Sequence, residues 1–286
     1  MAKVFKAQGQ VELSPGGAPR WQRVGLEQSL CLGDRLRLGP RSRATVRFAN
    51  ETLVDLDEGS TLVLHAAKPE ETGLLELLQG ALHAISRVPR QLNIRTPIAN
   101  AGVEGTEFAL RVDPAQAELW VYEGRVLFEN TKGQLRVEGG EAALARRGEA
   151  PERRIVVKPR QAVEWALYYP PLLDSRPESY PEVLRPAILA YRRNHLPAAF
   201  TALDGVPEGA RDARYHALRA GLLLSVGRVP EAEGDLRAAE RLDPKNGTVY
   251  ALRSVIAVVR SEGEEALKLA ADAVRLAPGS ATPHVA

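Results

Sequence analysis

Metal chemistry is the first possibility the sequence raises, because histidine is the commonest metal-ligating side chain in proteins. The five histidines stand at positions 65, 83, 195, 216 and 284. No two of them are four residues apart, the spacing that aims two imidazoles at one ion from a helix. His65 and His83 fall in the same half and could meet in space, but a surface or hydrogen-bonded role is favoured for both. We therefore expect no metal site and no cofactor.

Acidic and nucleophilic residues show no pattern typical of catalysis either. The densest acidic cluster, residues 55–58, lacks the ligand-and-glycine spacing of a calcium loop and is interpreted as a solvated turn. Cys31 is the single cysteine, and its apolar neighbours predict a small buried residue at a strand edge. The sequence has no nucleophile elbow, phosphate-binding loop or dinucleotide fingerprint. We predict that the chain is not an enzyme.

Composition indicates a folded protein of about two domains. The 286 residues are 44% hydrophobic and 26% charged, near the globular average. The 38 basic and 36 acidic residues nearly balance and the basic ones are dispersed, so nucleic-acid binding is not favoured. No stretch approaches the roughly 20 apolar residues of a membrane-spanning helix, and no apolar signal region opens the chain. A cytoplasmic protein and an exported one without its signal both stay open.

Apolar residues follow two different periods along the chain. Up to about residue 157, short runs alternate apolar and polar residues between glycine-containing turns, which predicts an all-β domain over residues 1–158, either a sandwich, a barrel or a β-solenoid. Examples of such runs are residues 44–48, 62–64, 92–94, 108–112 and 126–128. After residue 160 the period becomes helical, as in residues 215–226 and 266–276.

Residues 159–178 connect the two patterns. Trp165, Tyr168 and Tyr169 offer large contact areas there, and Pro170 and Pro171 oppose helix continuation. We interpret this segment as a packed joint between domains, with an aromatic ligand platform as the alternative.

The helical half repeats itself. Arg241-Leu242-Asp243-Pro244 is echoed by Arg275-Leu276-Ala277-Pro278, and the interval from Pro244 to Pro278 is the tetratricopeptide period. Residues 179–286 therefore resemble the tetratricopeptide family over about two and a half repeats, forming an α-helical solenoid that is expected to continue beyond residue 286. The motif positions that match are Ala220, Gly227, Ala232, Leu236, Ala239 and Pro244.

The same register assigns particular positions. The resemblance implies a concave inner face that binds a protein or peptide partner, lined by Arg214, Ala217, Gly221, Leu224 and Ser225. His216 and Arg219 stand where bulky apolar residues are usual, which predicts a first helix that is shifted or partly exposed. An earlier, degenerate unit spans about residues 180–209, where Gly205 and Pro207 should end its second helix.

The β half carries motif blocks at residues 24–46, 96–108 and 121–126 that resemble the FecR domain family over about residues 4–150. We interpret these motif residues as structural. Gly33-Asp34 and Gly124 should form turns, and Thr96-Pro97 should start or bend an edge strand. Gly105-Thr106 should permit close packing. Gly39 belongs to the same motif. The resemblance implies a compact β domain outside the cytoplasmic membrane, seen in the best-known members as the envelope-facing part of iron-uptake signalling proteins.

Together, these features favour a non-enzymatic scaffold of the bacterial cell envelope, binding protein or peptide partners through the helical surface and the FecR-like domain. The expected location is the periplasm or the envelope. Unpaired strand edges and an uncapped helical end also favour self-association, whereas no nucleic-acid partner and no transmembrane segment is expected. The alternative is a FecR-type sensor in transmembrane signalling linked to iron uptake.

Overall fold

A computed structural model describes residues 2–65, 74–86, 91–154, 159–167, 169, 172–174 and 176–277. The chain divides into two compact units, Met1–Ala166 and Leu167–Ala286. This boundary lies inside the segment predicted to be a joint. The first unit is rich in β-strands and the second is helical, as the two periods of the sequence predict. Among the described residues, no helix is long and apolar enough to cross a membrane.

The first unit alternates buried and solvated side chains along its strands. In β6, Ala44 and Val46 are buried while Arg43, Thr45 and Arg47 are not, so one face of the sheet joins the core. The described strands are β1 (Ala2–Gln8), β2 (Val11–Ser14), β3 (Gln22–Arg23), β4 (Ser29–Leu30), β5 (Arg35–Leu38), β6 (Arg43–Phe48), β7 (Leu53–Leu56), β8 (Thr61–His65), β9 (Leu74–Ile85), β10 (Gln91–Arg95), β11 (Asn100–Val112), β12 (Gln116–Asn130), β13 (Gly133–Glu138), β14 (Ala142–Arg146) and β15 (Glu152–Arg154).

These strands form a branched sheet with the main order β15-β14-β12-β11-β10-β9-β7-β6-β1-β4. Strand β13 pairs with β12, and β2, β3, β5 and β8 form a branch that joins β9 through β8. Every described pairing is antiparallel except that of β9 with β10. A β-solenoid stacks its coils as parallel strands, so the solenoid alternative is wrong, while the all-β prediction for this half is confirmed.

Three long strands change partners at a bend, which lets one strand serve two parts of the sheet. The first half of β9 pairs with β8 and β10 and its second half with β7 and β11. Gly80 stands at this change with φ +95°, and a Cβ on it would lie 2.4 Å from Ser60 Cα. Only glycine tolerates both that φ and that approach, so Gly80 fixes the corner.

The other two long strands correct the sequence interpretation. The pairing of β11 with β12 shifts register between Glu104 and Glu107, at the site of Gly105-Thr106. Gly124 has φ +78° and lies inside β12, not in a hairpin turn. Gly124 was predicted to form a turn, and Gly105-Thr106 to permit close packing. Both glycines lie within long strands, where a bulge or a positive φ redirects the chain without ending the pairing.

The outer edge of β13 is shielded by side chains. In the described pairings β13 bonds only to β12, which leaves alternate backbone groups facing outward. The carbonyl oxygen of Arg136 accepts from Arg153 Nη2 at 3.2 Å, and the N–H of Glu138 donates to Glu141 Oε2 at 2.9 Å. Arg153 also pairs with Glu141. Two of the backbone groups that an incoming strand would need are therefore already bonded.

The second unit consists of helix pairs with a constant spacing. The described helices are α1 (Arg185–Arg192), α2 (Leu196–Asp204), α3 (Ala213–Ser225), α4 (Val229–Leu242), α5 (Gly247–Val259) and α6 (Gly263–Leu276). Helix α1 packs mainly on α2, α3 on α4, and α5 on α6. Helices α5 and α6 begin and end one tetratricopeptide period after α3 and α4, the same interval that separates Pro244 from Pro278. Helix α2 ends at Asp204 and Gly205 is its C-cap, as predicted.

Candidate functional site

The residues predicted to line an inner face all lie on α3, but only one of them is exposed. Arg214 is exposed, whereas Ala217, Gly221, Leu224 and Ser225 are buried. The prediction that these five residues form an open surface is therefore wrong for four of them. The register of the helix is as expected, and what differs is that other residues of the same unit cover this face.

The cover comes from the start of the helical unit. Leu173 packs directly on Gly221, so that a Cβ on this glycine would lie 2.4 Å from Leu173 Cδ2. Tyr169 is fully buried, and together with Leu172 it joins the apolar cluster that contains Ala217 and Leu224. We call the described residues Tyr169, Leu172, Leu173 and Asp174 the cover segment. Tyr169, predicted as part of an interdomain joint, thus packs within the helical unit.

A charged clasp follows the cover segment. Asp174 accepts from the Arg176 backbone N–H at 3.0 Å, from its Nε at 3.0 Å and from its Nη2 at 2.7 Å. These hydrogen bonds lower the pKa of the Asp174 carboxyl to about 2, against the opposing effect of partial burial. Burial, followed by the nearby charge of Asp174, raises the pKa of the Tyr180 hydroxyl. The clasp fixes the chain direction between the cover segment and α1.

The other two aromatic residues of the predicted joint have separate outcomes. Trp165 belongs to the first unit, in the 3₁₀ helix Pro159–Ala166, which packs against β12. It is buried, and its carbonyl oxygen accepts from Arg43 Nη1 at 3.5 Å. Tyr168 lies outside the described residues.

A buried carboxylate explains the unusual polar residues of α3. Asp235 on α4 accepts from Arg219 Nη1 at 2.9 Å and lies 2.8 Å from His216 Nδ1. Helix α3 is regular across both positions, and the His216 and Arg219 side chains are half-buried, so the helix is partly exposed there and not shifted. A charged cluster replaces the usual apolar contact between paired helices. Asp235 was missed because nothing in the repeat register marks it. The signal that could have identified Asp235 is its position on α4, opposite His216 and Arg219 of α3.

The motif around Gly33-Asp34 holds two loops together. Gly33 has φ +87° and donates its N–H to the Leu64 carbonyl at 2.7 Å. The buried Asp34 carboxylate accepts from the N–H of Cys31 and from that of Gly16, each at 2.8 Å. This is the predicted turn. Cys31 is exposed, so its predicted burial is wrong: in the two-residue strand β4 it is Leu30 that points into the core.

The remaining motif residues also act structurally. Thr96 Oγ1 accepts from the N–H groups of Ile98 and Ala99 and donates to the Ala99 carbonyl at 2.6 Å. Thr96-Pro97 therefore forms a tight turn between β10 and β11, not an edge strand, since β10 pairs on both sides. This turn borders an open surface cavity of about 520 Å³. Gly39 contacts Gln10, whose Oε1 would lie 2.9 Å from a Cβ at this position, and the Thr106 side chain is buried.

The histidines of the β unit bond to separate carboxylates. His83 is buried, with Nδ1 3.4 Å from Asp55 and Nε2 3.2 Å from Glu107, and His65 Nε2 lies 2.6 Å from Glu76. In the part of the chain that the structure describes, no three metal-ligating side chains are grouped around a common point. These contacts account for both histidines as hydrogen-bonded structural groups.

Comparison with known proteins identifies one family in the first half. The family described as FecR protein matches residues 34–127, which confirms the FecR resemblance for that span. No curated protein matches the chain.

Solved structures with partial likeness to this chain include the following two proteins. A putative anti-sigma factor from Parabacteroides distasonis ATCC 8503 is 16% identical, with a TM-score of 0.42 over 51% of this chain and 69% of its own. The Arabidopsis OM64 TPR domain is 23% identical, with a TM-score of 0.31 over 36% of this chain and 86% of its own.

Proposed function

We propose that this chain is a non-enzymatic regulatory protein of the FecR type, which acts by binding other proteins at the bacterial cell envelope. The observation that carries the proposal is the FecR match over residues 34–127. The motif residues inside that span form turns and bends, so they build a stable surface and leave recognition to the exposed side chains around it. An iron-uptake signal is the input that the family resemblance implies.

The exposed side chains of the β unit include two large apolar residues suited to recognition. Leu26 and Leu32 flank β4 and are both mostly exposed. Apolar side chains in exposed loops of a rigid β unit are ordinary anchor residues in protein interfaces. Substitution of these two leucines tests the proposed regulatory role without disturbing the core.

An assembly scaffold is the second candidate, favoured by the helical unit. Its two best-matched helix pairs repeat at the tetratricopeptide interval, and stacked helix pairs of this kind present extended protein-binding surfaces. In that case binding would depend on the helices, with the β unit as an additional docking surface. This second proposal treats the helix pairs as tetratricopeptide-like repeats.

The test uses the full chain and matched exposed leucines. Partners are captured by crosslinking from envelope extract with the wild-type chain, the Leu26→Glu/Leu32→Glu variant, and the Leu267→Glu variant on α6, where Leu267 is also exposed. A strain lacking the protein is profiled for transcripts under iron limitation and complemented with each variant. Loss of partner capture and of the transcript response with the β-unit variant alone supports the regulatory role.

Other outcomes separate the two candidates. Partner loss with Leu267→Glu alone, without any transcript change in the deletion strain, would favour the scaffold. A deletion strain whose transcripts are unchanged, together with capture that neither variant alters, would contradict both proposals.

A further inference from the structure

The small branch formed by β2, β3 and β5 has one apolar face and one charged face. Its inward side chains include Leu13 and Leu36, which are buried in the core of the β unit. Side chains alternate along a strand, so Glu12 points to the opposite face, and the register places Arg23 on one side of it and Arg37 on the other. Three short strands thus bring two arginines and one carboxylate into a row.

The carboxylate neutralises only one of the arginines on this face. Glu12 Oε2 accepts from Arg37 Nε at 2.7 Å, and Arg37 Cζ lies 4.0 Å from the centroid of the Trp21 ring. Arg35 stands two residues before Arg37 on β5 and therefore points the same way. In the part of the chain that the structure describes, the exposed side chains of Arg23 and Arg35 have no ion-pair partner. We call Trp21, Arg23, Arg35 and Arg37 the arginine patch.

An apolar side chain borders the arginine patch. Leu32 is mostly exposed and stands at the turn that leads into β5. Asp34 Oδ1 fixes this turn by accepting from the Gly16 N–H at 2.8 Å. A Cβ on Gly17 would lie 3.3 Å from Arg35 Nε, so the two loops meet at the start of β5. An exposed leucine therefore stands beside an unpaired guanidinium on a fixed turn.

We propose that the arginine patch docks the β unit on an anionic lipid surface. Guanidinium groups bind headgroup phosphates through their fork of N–H donors. Tryptophan and leucine side chains favour the boundary between headgroups and acyl chains. The inference goes beyond the proposed binding of other proteins, because it assigns this face of the β unit a partner that is not a protein.

The extent and the composition of the patch favour a lipid surface over other polyanions. Three adjacent short strands make the patch roughly 10 Å across, which is enough for a few separate headgroups. A nucleic acid binds along a longer basic track, and the 38 basic residues of this chain nearly balance its 36 acidic ones. An acidic protein segment would pair with the arginines alone. A lipid surface offers phosphates to the arginines and apolar contact to Leu32 together.

The test measures sedimentation of the full chain with vesicles of phosphatidylcholine alone and with vesicles that also contain phosphatidylglycerol. Wild type should bind only the anionic vesicles. In the variant Arg23→Gln/Arg35→Gln the partition coefficient should fall at least about 10-fold, because each basic side chain near an anionic surface contributes about 5-fold. The matched control Arg111→Gln/Arg125→Gln removes two exposed arginines from β11 and β12 and should bind like wild type.

Three further measurements do not depend on the arginine variants. Added sodium chloride should release wild type from the anionic vesicles, since screening weakens the attraction between exposed charges. Inorganic phosphate at equal ionic strength should compete no better than chloride, which separates a lipid surface from a site for the free ion. Lipids brominated near the headgroup should quench Trp21 fluorescence, and Trp21→Phe should remove that quenching while binding persists.

Several results would overturn the inference. The chain could ignore anionic vesicles, bind both kinds of vesicle equally, or lose binding equally in the control pair. RNA binding that needs Arg23 and Arg35 and is tighter than vesicle binding would assign the patch to a nucleic acid, and the same result with polyglutamate would assign it to an acidic protein. Loss of vesicle binding with partner capture intact leaves the proposed function standing, so the two failures are distinguishable.

Discussion

The two units reach a fixed structure by different routes. In the β unit, contacts between distant residues decide the path of the chain, as where Gly80 meets Ser60 and Asp34 bonds to Gly16. In the helical unit, α5 and α6 copy α3 and α4 at a fixed interval, and each helix contacts mainly its nearest neighbours in sequence. The β unit should therefore respond to a single change as a whole, and the helical unit repeat by repeat.

The molecule offers a convenient way to follow the two responses separately. The chain has three tryptophans, Trp21, Trp120 and Trp165, and all lie in the first unit. All six described α-helices lie in the second unit. Tryptophan fluorescence thus reports unfolding of the β unit, while the far-ultraviolet helix signal reports the helical unit.

The largest expected effect is that of Gly80→Ala. The new Cβ would collide with Ser60 Cα and Oγ at a residue with φ +95°, so we expect the free energy of unfolding to fall by about 3 kcal/mol or more. Urea unfolding followed by tryptophan fluorescence measures it. Gly140→Ala is the control, because Gly140 has φ +90° but open space around it, and should cost only about 1 kcal/mol. Equal losses for the two variants would contradict the role of Gly80 as a packed corner.

The second effect belongs to the helical unit. Asp235→Ala leaves the charge of Arg219 without its carboxylate partner. We expect the free energy of unfolding of the helical unit, followed by the far-ultraviolet helix signal, to fall by about 3 kcal/mol. The unfolding transition followed by tryptophan fluorescence should change little. Replacing His216, Arg219 and Asp235 together by leucine should restore most of that loss, because an apolar contact is the usual arrangement between paired helices. A triple variant as unstable as Asp235→Ala would show that the charged cluster has no apolar substitute.

The smallest effect concerns acid sensitivity. Because the pKa of Asp174 is lowered to about 2, its ionised form stabilises the folded state above about pH 4, and this contribution is lost as the pH falls from about 4 to 2. The pair with Arg176 is partly exposed, so the loss should stay below about 1 kcal/mol. Thermal unfolding of wild type and Asp174→Asn at pH 5 and pH 2.5 measures the difference. Wild type should lose more stability between these pH values than the variant, and an equal loss would contradict the clasp.

Much of the secondary structure follows from local patterns. Alternation of small apolar residues with charged ones predicts β6, and the turn at Gly33-Asp34 appears as expected because glycine supplies the positive φ. The echo of the Pro244 motif at Pro278 predicts the helix spacing. Strand pairing was not predictable in this way. Whether Gly124 ends a strand or bends it depends on the partners that flank it, and those lie elsewhere in the chain.

The contacts at the candidate site were likewise not predictable from local sequence patterns. The register placed Ala217, Gly221 and Leu224 on one stripe of α3, because helical repeats place equivalent residues on equivalent faces, but it could not tell that this stripe is buried. The cover was not foreseen, since Tyr169, Leu172 and Leu173 lie in a proline-containing stretch without periodicity. Gly221 was the available signal: a glycine in the middle of a helix costs helix stability unless something packs closely against its backbone.

The shielded outer edge of β13 has a consequence for how this chain meets others. Sheets with open rims invite neighbouring copies to line up along them and grow into fibres, a hazard that rises with crowding. Arg153 and Glu141 occupy two of the backbone bonding positions at this rim, so an approaching strand cannot pair along its whole length there. Long strands with such a rim are less open to backbone pairing, which leaves contacts to side chains, and these discriminate between sequences where backbone pairing does not.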